Sequence, residues 1–341
     1  MEKLLKEFKE SYLDSLLSFL WKQWSAIGVS GYSNSKDNWY IDPEALLVFS
    51  CSIARYDARL FDEMINWLNI NGSYINIQRL KNIAGAENFN GTKVLSAVAK
   101  VMSKRQKFLK WKGISAINDI SLNEVEPLFY FKNGLPIQNF GEAEKDFREY
   151  GFLRGKIEFR KHIQPVNITK NTGLLFKLRA LFGVSARCDI ILYLLTHESA
   201  HPQIISKEIY YSQKSVQDTL VEMVKSDLIF VRSIGREKHY WLNKTTWSEF
   251  LKSDDKSLRW VKWPALMSAL ETIWIKINDK AFLEYDSLLK SSELRILMRS
   301  IMSKIQDAGF ADSISENKYY LGEDYQQVFL SDITRLLNVL K

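Results

Sequence analysis

Residues 184–243 read VSARCDIILYLLTHESAHPQIISKEIYYSQKSVQDTLVEMVKSDLIFVRSIGREKHYWLN, and their pattern decides the fold predicted for the centre of the chain. After Ser185, apolar residues recur at helical spacing, which predicts a first helix that ends near Thr196. Pro202 then opens a second helix, because proline is favoured in the first helical turn, where its missing N–H loses no hydrogen bond. Two short helices in succession are therefore expected.

A third helix is predicted from Gln213 to Lys225, directly after a turn at Tyr210-Tyr211-Ser212. Ser212 suits the N-cap position, where its hydroxyl accepts a hydrogen bond from a free backbone N–H of the first turn. The inner face of this helix is predicted from the apolar residues Val216, Leu220, Met223 and Val224. The opposite face carries the polar residues Gln213, Lys214, Gln217, Asp218 and Lys225.

A β-hairpin is predicted after the third helix. Residues from Leu228 to Ile234 alternate between the two faces of a strand, and a returning strand runs from Lys238 to Leu242. Gly235-Arg236 provides the tight turn between them. The chain therefore shows three helices followed by a hairpin with basic residues at its tip.

This order of elements resembles the winged helix-turn-helix domains of small prokaryotic repressors of the metal-responsive and multidrug-responsive types. The resemblance covers about sixty residues and includes the step Ser-Asp-Leu-Ile (226–229) that leads from the third helix into the hairpin. In those families the third helix enters the major groove and the wing touches the DNA backbone or the minor groove. The resemblance implies these roles for Gln213 to Asp218 and for Arg232 to His239.

The resemblance and the side-chain chemistry together give ten predicted DNA-binding residues. They are Ser212, Gln213, Lys214, Ser215, Gln217, Asp218, Arg232, Arg236, Lys238 and His239. Gln and Lys hydrogen-bond to base edges in the major groove, and Ser reaches bases or phosphates. The cations of the hairpin suit phosphate contacts.

The predicted function is sequence-specific binding of double-stranded DNA by a transcriptional regulator that is not an enzyme. A homodimer is expected because prokaryotic helix-turn-helix proteins usually read paired half-sites, and the amphipathic helix from Lys3 to Trp24 or the C-terminal helices would form its contact. The alternative is an antitoxin-like or assembly protein whose winged helix binds another protein. A continuous positive face would favour DNA, and an apolar or mixed face would favour a protein partner. The sequence names no effector ligand.

The stretch His197-Glu198-Ser199-Ala200-His201 matches the zinc-protease signature, in which two histidines four residues apart share one helix face. Pro202 follows directly and disfavours a helical conformation at His201, so the two histidines are not expected on one continuous helix. The remaining histidines, His162 and His239, supply no recognisable third ligand. We expect an exposed turn between helices and no metal site, with a hydrolase as the third functional hypothesis.

The bulk properties exclude several classes of protein. Cys51 and Cys188 lie in separate apolar stretches and predict neither a disulfide nor a paired-thiol metal site, which fits a reducing cytoplasm. Cys188 is expected to be a core residue. No stretch reaches the roughly 18 apolar residues that span a membrane, so no membrane association is expected. No glycine-rich phosphate-binding loop is present, and no cofactor is expected.

The formal net charge is +7, and its distribution is uneven. Residues 93–112 contain seven basic residues and no acidic one, and residues 145–189 contain ten basic residues and four acidic ones. Both segments lie next to helix-turn-helix-like stretches. The pattern is a weak indication of an anionic partner.

The predicted fold class is mainly α, over two or three domains, because 341 residues exceed what one hydrophobic core usually serves. We predict an N-terminal helical domain (1–112), a connector with short strands (113–183), the winged helix-turn-helix (184–250) and a C-terminal helical domain (256–341). The best linker is Ser253 to Lys256.

Local patterns predict the elements of the flanking regions. Three short N-terminal helices, at Pro43 to Arg55, Asp57 to Leu68 and Asn76 to Ile83, fit either a degenerate second helix-turn-helix or any compact helical domain. The other predicted elements are a basic helix at Thr92 to Lys110, strands at Leu128 to Phe131 and Lys156 to Phe159, and helices at Pro264 to Ile277, Glu293 to Asp307 and Tyr325 to Leu340.

Overall fold

Helices make up most of the chain. A computed structural model describes residues 2–29, 38–116, 125–138, 141–160, 163–252, 258–315 and 322–341. Within these ranges the protein is mainly α, as predicted, and the strands form two small two-stranded sheets. The predicted linker at 253–256 lies outside the described residues.

Helices and strands are numbered separately along the chain. The helices are α1 (Glu2–Ala26), α2 (Pro43–Ile53), α3 (Ala58–Asn71), α4 (Ile77–Glu87), α5 (Thr92–Ser103), α6 (Lys112–Ser115), α7 (Lys145–Arg148), α8 (Leu174–Phe182), α9 (Ala186–Thr196), α10 (Pro202–Ile209), α11 (Gln213–Val224), α12 (Lys244–Leu251), α13 (Trp263–Asn278), α14 (Lys280–Glu284), α15 (Ser287–Asp307) and α16 (Asp324–Leu340). The strands are β1 (Glu126–Pro127), β2 (Phe152–Leu153), β3 (Ile229–Ile234) and β4 (Glu237–Leu242).

Side-chain caps determine where the three short N-terminal helices begin. The Asp42 carboxylate accepts hydrogen bonds from the first backbone N–H groups of α2, and Asp57 and Asn76 cap α3 and α4 in the same way. Pro43 follows its cap at the first helical position. The three helices predicted between residues 43 and 83 are therefore confirmed, with ends displaced by a few residues.

The basic helix predicted from Thr92 to Lys110 is wrong in its second half. Helix α5 ends at Ser103, and tighter turns continue from Gln106 to Trp111 with a non-helical backbone at Phe108. The Phe108 ring is fully buried and lies against Gly72, while Trp111 is also buried. The chain leaves the α-helical path after Ser103, and both rings are buried in the bent segment that follows.

The short strands of the connector are displaced from their predicted positions. The parallel pair consists of β1 and β2, at residues 126–127 and 152–153, rather than 128–131 and 156–159. The guanidinium of Arg55 donates to the carbonyl oxygens of Pro127 and Leu128, and the Tyr130 N–H donates to the Arg55 carbonyl. These bonds occupy the backbone groups that a longer strand would need.

The apolar face of α1 has its partner within the same chain. Leu16, Leu20 and Trp24 are fully buried, and the Tyr12 hydroxyl donates to the Leu270 carbonyl at 2.8 Å. Helix α1 packs on α2, α13 and α16. It is 25 residues long but amphipathic, and none of the helices in the described ranges has the length and apolar character required to cross a membrane.

The N-terminal and C-terminal helices pack against each other through α2 and α13. Almost all of α2 is buried, and it contacts α4, α5 and α13. The Trp263 indole N–H donates to the Tyr40 carbonyl at 2.7 Å. The three helices predicted in the C-terminal region are confirmed as α13, α15 and α16. The predicted domain boundaries remain a prediction.

Candidate nucleic-acid interface

Helices α9, α10 and α11 lie where the sequence predicts them. Ser185 precedes α9, which ends at Thr196, and Pro202 is the first residue of α10. The Ser212 hydroxyl accepts a hydrogen bond from the Ser215 N–H and so caps α11. These local signals fix three short helices in succession.

The hairpin of β3 and β4 follows α11 with a two-residue turn. Ile234 pairs with Glu237, and Gly235 adopts a positive φ of 60°, which glycine tolerates without strain. Ala200, between α9 and α10, exchanges two backbone hydrogen bonds with Tyr240. This third chain segment beside β4 was not predicted, because a single bridging residue leaves no periodic pattern.

Helix α11 buries its apolar side and exposes its polar side. Val216, Leu220 and Met223 face the interior. The predicted residues of this helix are all exposed and form the polar row of α11: Ser212, Gln213, Lys214, Ser215, Gln217 and Asp218. The fold therefore brings these six side chains together at the N-terminal half of the helix, and their DNA-binding role remains a prediction.

The predicted hairpin residues differ in their exposure and in their polar partners. Arg236 and Lys238 are exposed at the tip. Arg232 is also exposed, but its guanidinium donates to the Ser199 hydroxyl at 3.0 Å. His239 is half-buried, and its Nε2 lies 3.3 Å from a Glu237 carboxylate oxygen. Arg236 and Lys238 are therefore exposed cations without an ion pair among the described residues, and the exposed Glu237 lies between them in the sequence.

The charges exposed along α11 are mixed in sign. Lys214 is the only charged residue in the first part of the polar row, from Ser212 to Gln217. Farther along, Asp218, Glu222 and Asp227 outnumber Lys225, and Glu222 forms an ion pair with Arg187. The N-terminal half of α11 is polar and weakly positive, whereas its C-terminal half is acidic.

The protease-like stretch spans the end of α9 and the start of α10, so it lacks the single helix that the zinc-protease signature requires. Helix α9 ends at Thr196, His197 stacks on Tyr193 with ring centroids 3.9 Å apart, and His201 caps α10 by accepting from the Gln203 N–H. The expectation that the two histidines do not share a helix is confirmed. In the part of the chain that the structure describes, no group of three or more metal-ligating residues occurs.

A cluster of buried charges lies behind the helices of this region and was missed from the sequence. Its members, the buried ionic cluster, are Asp42, Glu44, Arg79, Arg179 and Asp189. Arg79 donates to Asp42 and Glu44, and Arg179 donates to both oxygens of Glu44 at 2.7 and 2.9 Å. Asp189 lies 3.5 Å from each guanidinium. The cluster joins α2, α4, α8 and α9.

Burial and charge act differently on two carboxyl groups of the cluster. Burial raises the pKa of Asp189, despite the neighbouring Arg79 and Arg179. Burial also disfavours ionisation of Asp42, but its direct contact with Arg79 lowers the Asp42 pKa below its usual value. Three carboxyl groups thus share two guanidinium groups. Of Asp42 and Asp189, it is Asp189 whose charged form is disfavoured.

Side chains of α4 hold the turn between α10 and α11, which we call the α10–α11 turn (Tyr210–Ser212). The Asn82 amide donates to the Tyr210 carbonyl at 2.9 Å, and the Asn76 amide donates to the Tyr211 hydroxyl at 2.8 Å. Tyr210 adopts a left-handed backbone with φ of 61°, unusual for a bulky residue. Its hydroxyl donates to Glu87 at the end of α4. The start of α11 is therefore anchored to the N-terminal helices.

The cysteines are structural. Cys51 and Cys188 are both fully buried, and burial raises the pKa of the Cys188 thiol to about 11. A thiol with so high a pKa has little thiolate at neutral pH and is a poor nucleophile. The expectation that Cys188 is a core residue is confirmed.

No protein-family model, no curated protein and no solved structure matches this chain. The function must therefore be argued from the geometry of the region itself.

Proposed function

We propose that residues 184–250 form a winged helix-turn-helix and that the protein binds double-stranded DNA as a cytoplasmic transcriptional regulator. The observation that carries the proposal is the polar row of α11, exposed on a helix whose other side is buried. In helix-turn-helix proteins the first residues of the recognition helix contact base edges. The polar row occupies these positions in α11.

The chemistry of the polar row suits the major groove. Gln213 and Gln217 lie four residues apart, so their side chains project from the same side of the helix. A glutamine amide offers the paired donor and acceptor that adenine presents in the groove. Lys214 can bond to guanine, and the Ser212 and Ser215 hydroxyls reach bases or phosphates. An exposed helix fits this groove, which is about 12 Å wide.

The hairpin suits the DNA backbone. Arg236 and Lys238 are exposed at its tip and carry no ion pair among the described residues. Unpaired cations on a projecting turn can neutralise phosphates and release bound counterions, which supplies affinity without sequence reading. We therefore assign the α11 row to base reading and the hairpin tip to phosphate contact.

The mixed charge of α11 is compatible with this division of roles. Glu222 lies near the C-terminal end of α11 and Asp227 lies after it, away from the residues that would meet base edges. Asp218 lies within the polar row, where a carboxylate can accept a hydrogen bond from the cytosine amino group. Regulation through a homodimer is part of the proposal. The apolar face of α1 is buried within the chain and is not free to form the dimer contact.

A second candidate function is binding of another protein, and exposed apolar side chains favour it. Val221 of α11 and Leu228, Val231 and Ile234 of the hairpin region are each more than 40% exposed. Apolar side chains grouped on a surface are typical of protein interfaces. An assembly or antitoxin-like protein would use some of these side chains, and because Val231 and Ile234 are three residues apart in β3 they lie on opposite faces of the hairpin.

One experiment tests the proposal and separates the two candidates. Genomic fragments retained by the purified full-length protein at low salt are sequenced, and a shared sequence element among them is the expected result. Retention should weaken steeply as salt rises, because phosphate contacts release counterions. Absence of retention at about 50 mM salt would refute DNA binding and leave the protein-binding function.

A further inference from the structure

Helix α4 lies beside the α10–α11 turn, although Asn82 and Tyr210 are 128 residues apart in the sequence. Arg79 donates to the Ile209 carbonyl at 3.0 Å, and Asn82 donates to the Tyr210 carbonyl at 2.9 Å. Both contacts end on the last residues before the N-cap of α11, Ser212. The exposed N-cap of α11, Ser212, thus lies two residues after a carbonyl that Asn82 of α4 holds.

The outer face of α4 is polar and open. Gln78 is exposed and its amide donates to the Asn82 side chain one turn farther on. Gly85 is exposed on the same side, with no atoms within 4 Å of the place where a side chain would begin. This face therefore adjoins the α10–α11 turn, in which Tyr210 is buried, Tyr211 is half-buried and Ser212 is exposed.

Three lysines border this face, and we call them the basic flank: Lys81, Lys110 and Lys112. Lys81 stands three residues after Gln78, on the side of α4 where Gly113 approaches the Lys81 ammonium. The Lys110 ammonium donates to the Ile75 carbonyl at 3.1 Å, just before α4. Lys112 is exposed. The sequence from residue 88 to residue 118 contains no acidic residue, so this flank is positive.

Other basic residues of the same segment are neutralised locally. Lys100 forms an ion pair with Glu149 at 2.9 Å, and Lys104 forms one with Asp146 at 2.6 Å. Among the described residues, Lys81 and Lys112 form no ion pair. Lys93, Arg105 and Lys107 of this segment also form no ion pair among the described residues, but they contact the Phe152 ring, the Phe159 ring and the Asn69 carbonyl. Lys81 and Lys112 lie instead on α4 and on α6, which contacts α4.

The dimensions of DNA determine what this face can touch. A helix with its side chains is about 10–12 Å across, and the major groove is about 12 Å wide, so one helix fills it. Helix α4 is packed beside the α10–α11 turn and cannot enter the same groove. With α11 in the groove, α4 would lie at its edge, where the phosphate backbone runs.

We infer that α4 and the basic flank bind the sugar-phosphate backbone that borders the groove entered by α11. This inference rests on the proposed DNA binding and makes the N-terminal helices part of the same interface. It assigns DNA contact to the lysines of the basic flank, whereas Lys100 and Lys104 are occupied by ion pairs with Glu149 and Asp146. The contact is independent of base sequence and sets the register of α11 in the groove.

The test compares two variants that remove the same charge from the same region. Lys81→Ala with Lys112→Ala removes two flank cations, and Lys100→Ala with Lys104→Ala removes two locally paired ones. Binding of the full-length proteins to a fluorescein-labelled 30-base-pair duplex of mixed sequence is measured by anisotropy between about 50 and 200 mM salt. Each phosphate contact contributes about −0.9 to the slope of log K against log salt.

The flank variant should lose about 1.8 from the magnitude of that slope, while the paired-lysine variant keeps the wild-type slope. Lys81→Arg with Lys112→Arg, which keeps the charges, should also keep the slope. An unchanged slope or tighter binding in the flank variant overturns the inference about α4. The proposed DNA binding is still supported in that case if Arg236→Ala with Lys238→Ala reduces the magnitude of the slope of log K against log salt. A wild-type protein that does not bind the duplex at all refutes both proposals.

Discussion

The buried ionic cluster shows how single residues determine the orientation of a helix. Arg79 bonds to two carboxylates on α2 and also to the Ile209 carbonyl before the α10–α11 turn. Burying charges is costly unless each is paired and hydrogen-bonded. The pairing here satisfies most of the groups and ties the N-terminal helices to the proposed recognition helix.

Removing one guanidinium should be strongly destabilising. Arg79→Met leaves the buried Asp42 and Glu44 carboxylates short of a partner, and breaking a buried pair in this way costs about 3–5 kcal/mol. Chemical denaturation of the full-length protein measures the loss. Lys100→Ala, which breaks a pair at the surface, is the control and should cost no more than about 1 kcal/mol. Similar losses in both variants would contradict the importance of the cluster.

The pKa of Asp189 gives a pH dependence of known sign. Because this pKa is raised above its usual 3.8 in the folded protein, the stability that it contributes is present at low pH and is lost as pH rises through the raised value. Asp189→Asn cannot ionise but still accepts a hydrogen bond from the Tyr211 hydroxyl. The free energy of unfolding of the variant, relative to that of the wild type, should therefore increase as the pH rises from about 4 to about 7. An equal difference at both pH values would contradict this assignment.

At the scale of elements, α11 and the hairpin divide the work of recognition. The helix presents amides and hydroxyls on an ordered, capped scaffold, and the hairpin presents cations at a tip that few contacts restrain. Amides discriminate between bases by the geometry of paired hydrogen bonds, while cations respond to phosphate charge alone. Variants of the two elements should consequently fail in different ways.

Gln217→Ala should weaken binding to the preferred sequence about tenfold or more and leave binding to unrelated DNA nearly unchanged. A paired glutamine contact to adenine is worth roughly 1–3 kcal/mol of discrimination, and the phosphate contacts remain in the variant. The ratio of the two affinities is the measurement, and Gln213→Ala should behave similarly. Equal losses on both DNAs, or no loss, would remove the base-reading role of α11.

Arg236→Ala with Lys238→Ala should lower affinity for every duplex by a similar factor. The slope of log K against log salt should decrease in magnitude by up to about 1.8, because two phosphate contacts are lost. Lys244→Ala, an exposed lysine after the hairpin, is a control for the loss of charge alone. If affinity and slope stay at wild-type values, the hairpin does not touch DNA.

The elements that could be predicted are those whose signals are local. Caps at Asp42 and Ser212 and the proline at 202 mark helix starts within a few residues, so sequence reasoning places α2, α10 and α11 well. The bridge between Ala200 and Tyr240 depends on tertiary approach and leaves no such signal. The positions of β1 and β2 were mispredicted for the same reason.

The buried ionic cluster left a trace that sequence reasoning could have used. Arg79 and Asp189 stand among apolar residues on the inner sides of α4 and α9, where a charge is expensive without a partner. Such residues indicate that partners exist somewhere in the chain. They do not say where, because Glu44 and Arg179 are 135 residues apart.

At the scale of the whole molecule, the N-terminal and C-terminal helices pack against each other. The Tyr12 hydroxyl bonds to the Leu270 carbonyl, and the Lys22 ammonium bonds to the Leu340 carbonyl. Helix α13 packs on both α1 and α2, and α16 packs on α1. The N-terminal and C-terminal helices should therefore stay together even when the chain between them is cut.

A protease site inserted between Lys252 and Leu258 tests this expectation. After cleavage, the two pieces should elute together in gel filtration and unfold in one transition, because α13 remains packed on α1 and α2. Trp263→Ala, which removes a fully buried ring and its bond to Tyr40, should weaken the association. If the two pieces of the cleaved protein without the Trp263 substitution separate in the absence of denaturant, the two helical regions are independent.

The distance along the chain between α1 and its partners has a consequence during synthesis. Tyr12 and Leu270 are 258 residues apart, and ribosomes add about 5–20 residues per second. The part of α1 that α13 covers consequently waits roughly 13 to 50 seconds, by that rate, before α13 has been made. During that interval the nascent chain lacks Trp274 and Trp263, the partners of the Tyr12 and Phe19 rings in the folded protein, and we expect chaperones that shield apolar helices to bind it there.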